Sequence, residues 1–239
     1  MAPTADPSTE AVDLSQVDDV DLPVAMFRLR ATVEVGSSAR VTFARPIDDR
    51  IRLVIAGSGF ELTSRRGAAA RLTRWRTLAD SVRPGMRLLM IGLNPSLHSA
   101  DSGIGYFRGG NRFWPAMLAA ELVTHDRDPL HALGLHDIGM TDFVKRATPR
   151  VVEVDDDEFR VGVERVVRLA EWLEPRAICA VGLAGWRAGV DRKATAGWQD
   201  RELGGRPVYV MPSTSGLNAH AQLPVLVEHL QRAAADSAG

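Results

Sequence analysis

The stretch RLLMIGLNPS, residues 87–96, decides how the rest of the chain is read. Its first six residues, Arg87 to Gly92, form a short apolar run without polar alternation, as in a strand buried on both faces of a parallel sheet. The run breaks at Gly92, which lets the chain turn tightly, and Pro95 stiffens the loop behind Asn94. One amide side chain is thereby presented from a rigid base at the end of a buried strand. Further along, residues 177–182 and 207–211 repeat the buried-strand pattern. Residues 111–123, 155–173 and 223–235 carry a helical apolar period, the second opening with acids suited to a helix N-terminus. This alternation predicts the α/β class, a three-layer αβα sandwich around a central, mostly parallel sheet. Ligands of such sheets sit beyond the carboxyl ends of the strands. Two loops lie there, residues 92–110 and 212–221.

The bulk numbers bound the rest. With 239 residues, 45% of them hydrophobic, the chain suits one medium domain with a real core and a small appendage. A net charge of −1 gives no overall nucleic-acid signal, so any such contact must come from a local patch. Cys179 is the single cysteine. That count excludes a disulfide framework, a cysteine-built zinc site and an all-cysteine iron–sulfur cluster. Set among apolar neighbours, Cys179 reads as a buried, inert thiol. The six histidines show no metal-ligand spacing, and neither a metal nor a cofactor is expected. No charged-then-apolar leader opens the chain and no run is long enough to span a membrane, so a cytoplasmic, nucleoid-associated monomer is expected. Only Lys145 and Lys193 are lysines, so arginine richness reads as composition bias and not as evidence for DNA binding.

Charge is unevenly spread. Residues 1–22 hold six acids and no Lys or Arg, which predicts a disordered acidic tail. Residues 28–76 hold eleven arginines against four acids, a local net of +7. Strands are expected over residues 28–35, 40–44 and 52–56, then an arginine-bearing helix over 68–82 stopped by Pro84-Gly85. The expected organisation is a tail over 1–22, a basic β-rich appendage with a lead-in helix over 23–82, and the main α/β domain over 83–239.

Several residues of the main domain carry chemistry. The Asn94 amide accepts from water and donates to a ligand, but it is no strong base. Tyr106 and Phe107 lie among glycines, a poor setting for core residues and a good one for stacking on a flat ring. Asn111 reads as a helix cap, with Phe113 and Trp114 on the inner face of that helix. Asp142 reads equally as a loop cap after Thr141 and as an acid near a pocket. A phosphate cradle is disfavoured, because neither dinucleotide nor P-loop spacing is present. A base-binding α/β module without catalysis stays open as the other reading.

Gly92-Leu93-Asn94-Pro95, the spaced Tyr106, Asn111-Arg112-Phe113-Trp114, Thr141-Asp142 and Met211-Pro212-Ser213-Thr214-Ser215 occur in one order. The set resembles the mismatch-specific uracil/thymine DNA glycosylases, a branch of the uracil-DNA glycosylase superfamily, over about residues 83–235. The resemblance implies a monofunctional enzyme of base excision repair that hydrolyses the glycosidic bond of a flipped uracil, or a related mismatched or damaged base, in double-stranded DNA. It assigns Asn94 to positioning the attacking water and places Asp142 near the pocket, where an acid would activate that water directly. Gly92, Leu93, Ser96, Ser99, Tyr106 and Asn111 would surround the base, with Tyr106 stacked on it. Ser213, Ser215, Gly216, Leu217 and Asn218 would meet the DNA, Leu217 as the wedge filling the gap and Asn218 facing the widowed partner. Three positions depart from the family pattern. Ser96 stands where Gly is commonest, Ser99 where thymine-active members are smaller, and Ala219 where some members have Arg.

Overall fold

The computed structural model describes residues 10–235, and its first element departs from the expected acidic tail. Glu10–Leu14 is a strand, β1; the rest of that expectation, residues 1–9, lies outside the described residues. Helix α1 (Leu22–Thr32) opens with a proline, which suits a first turn because its missing N–H is not needed there. It replaces most of the strand expected over residues 28–35. The alternation of Leu29, Ala31 and Val33 imitates a strand, yet Leu22, Met26, Leu29 and Arg30 are buried together along one helical face. Strand β2 (Ser38–Phe43) lies where a strand was expected. Helix α2 (Asp49–Gly57) replaces the strand expected over residues 52–56. Asp48 caps it by accepting from the Ile51 amide at 2.9 Å, and Ile51, Val54 and Ile55 bury at helical spacing. The expected helix over residues 68–82 is instead a hairpin arm and an extended connection. Strand β3 (Phe60–Arg66) turns at Gly67 into β4 (Ala69–Arg74), where Ala70 and Leu72 point inward with period two. Ala and Arg favour helices locally, but here the pairing of β4 with two neighbours overrides that preference. The unit is a four-stranded sheet, order β1-β2-β4-β3, with both helices packed on one face.

The main domain has the expected architecture. Strand β5 (Leu88–Gly92) sends Leu88 and Met90 to one face and Leu89 and Ile91 to the other, all fully buried. Both faces are covered, which explains the unbroken apolar run. Helices α3 (Leu97–Ser102), α4 (Phe113–Ala119) and α5 (Pro129–His136) precede β6 (Ile138–Asp142). Helix α6 (Asp156–Leu173) begins with a capping box of Asp155 and Glu158, as its acidic start promised. Then follow β7 (Ala177–Val181), α7 (Leu183–Gly189), β8 (Gly197–Trp198), β9 (Val208–Met211) and α8 (Leu223–Ala235). The sheet order is β6-β5-β7-β9-β8, parallel except for β8. Phe113, Trp114 and Met117 of α4 share one core cluster with Leu226 and Leu230 of α8; Phe159 and Leu169 of α6 share the other with Trp186 of α7. The chain leaves β5 toward the α4 face and β7 toward the α7 face. In sheets of this topology such a divergence, beyond the carboxyl ends of the strands, is the usual ligand position.

The two parts are joined intimately. Ser81 adds an antiparallel bridge to Met140 at the β6 edge, with N···O distances of 3.0 and 2.9 Å. Buried Arg30 donates to the carbonyls of Thr77 and Ala100, tying α1 to α3. Trp172 of α6 packs against the core of the N-terminal unit and carries Arg50 over its ring at 5.4 Å.

Candidate active site

Strand ends bring the first chemistry together. Gly92 and Asp142 are register partners at the last positions of β5 and β6. The Asp142 carboxyl folds over Gly92, so that a Cβ there would lie 2.2 Å from Asp142 Oδ1 and 3.0 Å from the Tyr106 hydroxyl. Glycine is needed at this point for space. Tyr106 itself has φ of 57°, a left-handed conformation uncommon for a non-glycine residue. Its ring stacks on Phe113, with centroids 3.9 Å apart and planes at 15°. The Tyr106 hydroxyl and Asp142 Oδ2 are both buried without a hydrogen-bond partner. Each such atom costs about 1–3 kcal/mol, and native structures leave few of them. Burial pushes the Asp142 carboxyl up to about 6; Lys145 and Arg165 pull it down, and Asp80 adds to the rise. Burial and the nearby Asp142 carboxyl raise the Tyr106 hydroxyl well above its ordinary value.

Behind Asp142 lies a buried charge cluster that spacing in the sequence does not reveal. Asp80 takes Lys145 Nζ at 2.7 Å, Arg165 at 2.9 Å and the Thr141 hydroxyl at 2.7 Å. Arg165 also donates to the Asp142 carbonyl at 2.6 Å and so fixes the backbone beneath the site. Burial works against ionisation of Asp80, but Arg165 and Lys145 outweigh it and hold its carboxyl below the usual range. Asp80, the neighbouring Thr141 and Lys145, and Arg165 come from three separate parts of the chain, and only the fold shows them as one unit.

Asn94 is held from one side only. Its Nδ2 donates to the Thr148 hydroxyl at 2.8 Å and the Arg146 carbonyl at 3.0 Å. The carbonyl partner fixes which end of the amide is nitrogen, since an oxygen facing Arg146 O would be repelled. The loop after β6 runs alongside, with Phe143, Val144 and Thr148 amides donating to the carbonyls of Gly92, Leu93 and Pro95 at 2.9, 3.0 and 3.1 Å. The donors of the amide are used, and Oδ1 is left to accept from a ligand or water. The Thr148 hydroxyl in turn donates to the Arg150 carbonyl at 2.8 Å, completing the tether.

The other expected residues separate into groups. Ser96 caps α3 by accepting from the Ser99 amide at 3.1 Å, and buried Ser99 is hydrogen-bonded to the same hydroxyl. Leu93 turns its side chain into the core against Gly185, leaving only its backbone near the loop. Asn111 accepts from the Phe113 amide at 2.9 Å from the position before the N-cap of α4, which is Arg112 and not Asn111 as expected. Phe107, named beside Tyr106, is largely exposed.

The loop after β9 is tied down by its own contacts. Arg112 donates to the carbonyls of Ser215 and Asn218 at 2.7 and 2.6 Å, and Gly216 sits where a Cβ would meet Gly110 O at 2.5 Å. The Ser213 and Ser215 hydroxyls accept from the Ser215 and Leu217 amides, both at 3.3 Å. Leu217 stands at the tip, 92% exposed. Asn218 uses its amide inside the loop, donating to Ser213 O at 3.0 Å and accepting from the His220 amide at 3.3 Å. In the sequence Arg112 stands out only as part of the Asn111–Trp114 motif; holding this loop is the role the structure adds.

One small cavity completes the picture. Phe27 of α1 and Leu78 face Tyr106, Met140, Thr141 and Asp142 across it. The N-terminal unit thus supplies part of a wall beside the Tyr106–Asp142 pair. Among the described residues no cluster of histidine, cysteine, aspartate or glutamate is arranged to hold a metal, and no helix is long and apolar enough to cross a membrane.

The model of the uracil DNA glycosylase superfamily matches residues 79–235. The chain belongs to this superfamily. The match places a DNA glycosylase, a hydrolase whose partner is uracil-containing DNA, on the main α/β domain. It begins at Ala79, so Asp80 and Ser81, which the sequence assigns to the appendage over 23–82, lie inside the match. Asn94, Tyr106, Asp142 and the Leu217 loop all lie within it too, at or beyond the carboxyl ends of the glycosylase's strands.

Proposed function

We propose that the protein is a monofunctional DNA glycosylase that removes uracil from G·U mismatches by flipping the nucleotide and hydrolysing its glycosidic bond. A stacked base is out of reach of the protein, so extrusion comes first, and a mismatched pair is the cheaper one to open. Leu217 would enter the stack as the wedge, on a loop that Arg112 ties down. Its neighbours Ser213, Ser215 and Gly216 would meet the DNA, and Asn218 would face the widowed partner base. The base would lie beyond Gly92 near Tyr106.

Bond cleavage places positive character on the sugar and negative charge on the departing base. Asn94 carries the reading: its nitrogen is tied to Thr148 and Arg146, and its Oδ1 is free to hold water. An amide aligns the water and need not deprotonate it early when the leaving group departs first. A lyase reaction would need an accessible amine for a Schiff base. Lys145 is buried, with its nitrogen on Asp80 and the Leu78 carbonyl, which supports hydrolysis alone.

Substitution Asn94→Ala tests the assignment. Single-turnover uracil release should fall by about 100- to 1000-fold, as for loss of one preorganised polar group, while duplex affinity is retained. Unchanged release would remove Asn94 from the reaction.

A further inference from the structure

We propose that Arg30 is a positioning residue for uracil release, through which the N-terminal unit clamps the segment from α3 to Tyr106. Arg30 is 5% exposed, and among the described residues no carboxylate pairs with it. Its Nη2 donates to the Thr77 carbonyl at 2.6 Å and to the Ala100 carbonyl, while its Nε has no partner. Burial, with Arg74 nearby, pulls the guanidinium down to about 10, so it stays charged at neutral pH. A buried cation met by carbonyls alone is a costly way to fill space, and an apolar side chain would do so more cheaply. What it supplies is position. Ala100 lies in the last turn of α3, where carbonyls lack partners within the helix and a cation is favoured.

Further contacts from the same unit fall on the same segment. Arg76 grips Asp101 through two bonds, at 2.8 and 2.6 Å. Leu78 packs against Gly105, 3.4 Å from where a Cβ would stand, and Phe27 faces Tyr106 across the small cavity. Phe27, Arg30, Arg76 and Leu78 all precede the superfamily match. The segment they hold carries Tyr106 in its left-handed conformation, with φ of 57°. Such a conformation is strained in a non-glycine residue and persists only where the surroundings over-determine it. From the other side Trp114 Nε1 donates to the Gly105 carbonyl at 2.8 Å and Phe113 stacks on the Tyr106 ring. The glycosylase region thus fixes one side of the segment and the N-terminal unit the other. Without Arg30 the segment relaxes and Tyr106 holds the base less often where Asn94 can direct water to it. The loss is one of rate, because the Leu217 loop makes its own DNA contacts elsewhere.

The inference rests on the uracil-releasing reading, and the two fail separately. Single-turnover release from a G·U duplex is compared for the wild type, Arg30→Met, Tyr106→Ala and the double variant. Arg30→Met should slow release about tenfold, as for a modest misplacement of a positioned group. Its affinity for a duplex carrying an abasic-site analogue should stay within about twofold of wild type. In the Tyr106→Ala background the same change should cost no more than about twofold, because Arg30 acts through Tyr106. No loss in the single variant, the full loss in both backgrounds, or an equal loss of abasic-duplex affinity would overturn the clamp. Amide hydrogen exchange reads the segment without catalysis. Residues 97–106 should exchange about tenfold faster in Arg30→Met while β7 is unchanged, since only the segment opens. Faster exchange in both places, or in neither, would also overturn the clamp. Arg30→Lys keeps the charge but loses the planar fork, and it replaces Arg30→Met, with the same outcomes expected, should that variant not fold. A wild-type protein that releases no uracil would overturn the reading beneath the inference, while the exchange measurement still decides the clamp.

Discussion

At the scale of single residues, the account depends on where polar atoms are left over. Asn94 has its donors occupied and its acceptor open, while Asp142 and Tyr106 retain buried atoms without partners. These are costly arrangements that folding alone does not favour, and a bound base and water would relieve them. The Asp142 carboxyl titrates at about 6, raised first by burial and faced by Tyr106, Asp80, Lys145 and Arg165. If its ionised form accepts from the base, kcat/KM for uracil release should be flat above about pH 7. It should fall as pH drops through about 6, because the protonated acid no longer accepts at that oxygen. Asp142→Asn should lose that limb of the profile. A limb that persists in the Asn variant would assign the titration to another group.

Elements explain how those residues reach one place. Strands β5, β7 and β9, the acidic start of α6 and the closing helix were legible in the sequence because apolar period and end signals agreed there; β6 was not, and Asp142, which reads equally as a loop cap, is its last residue. The N-terminal elements were not, because local signals conflicted with tertiary pairing. Leu29, Ala31 and Val33 alternate like a strand inside a helix, and the helix-favouring Ala69–Arg74 segment is held as a strand by β2 and β3. Of the site, Asn94, Tyr106, Asp142 and the Leu217 loop were visible as ordered motifs. The tether through Thr148, the cluster around Asp80 and the wall from Phe27 join residues far apart in the chain, so no spacing rule reaches them. The Leu217 loop gives a prediction at this scale. Leu217→Ala should slow release from G·U duplex about tenfold yet leave single-stranded uracil DNA nearly unaffected, since only a duplex has a gap to fill. Equal rates on the duplex for both proteins would show that the exposed tip is not a wedge.

The whole molecule is more than a glycosylase domain with an attachment. The N-terminal unit lies largely outside the superfamily match, yet it touches α3 through Arg30 and the site's cavity through Phe27. Asp80 is the pivot of this joint. Its amide donates to the Gly57 carbonyl at 2.9 Å, and its side chain pairs with both Lys145 and Arg165. Asp80→Asn should lower unfolding free energy by about 3–5 kcal/mol, because it leaves two buried cations with too little compensation. Urea denaturation measures this directly, and a change below about 1 kcal/mol would mean the cluster is solvated more than its burial indicates.

The central claim is uracil hydrolysis by this chain, and a time course of purified protein with a G·U duplex tests it most directly. The account predicts free uracil in solution and an intact strand that breaks only on later alkali treatment, with no protein–DNA adduct trapped by borohydride. An unaltered uracil-containing strand after prolonged incubation with excess protein, or a trapped adduct, would contradict it.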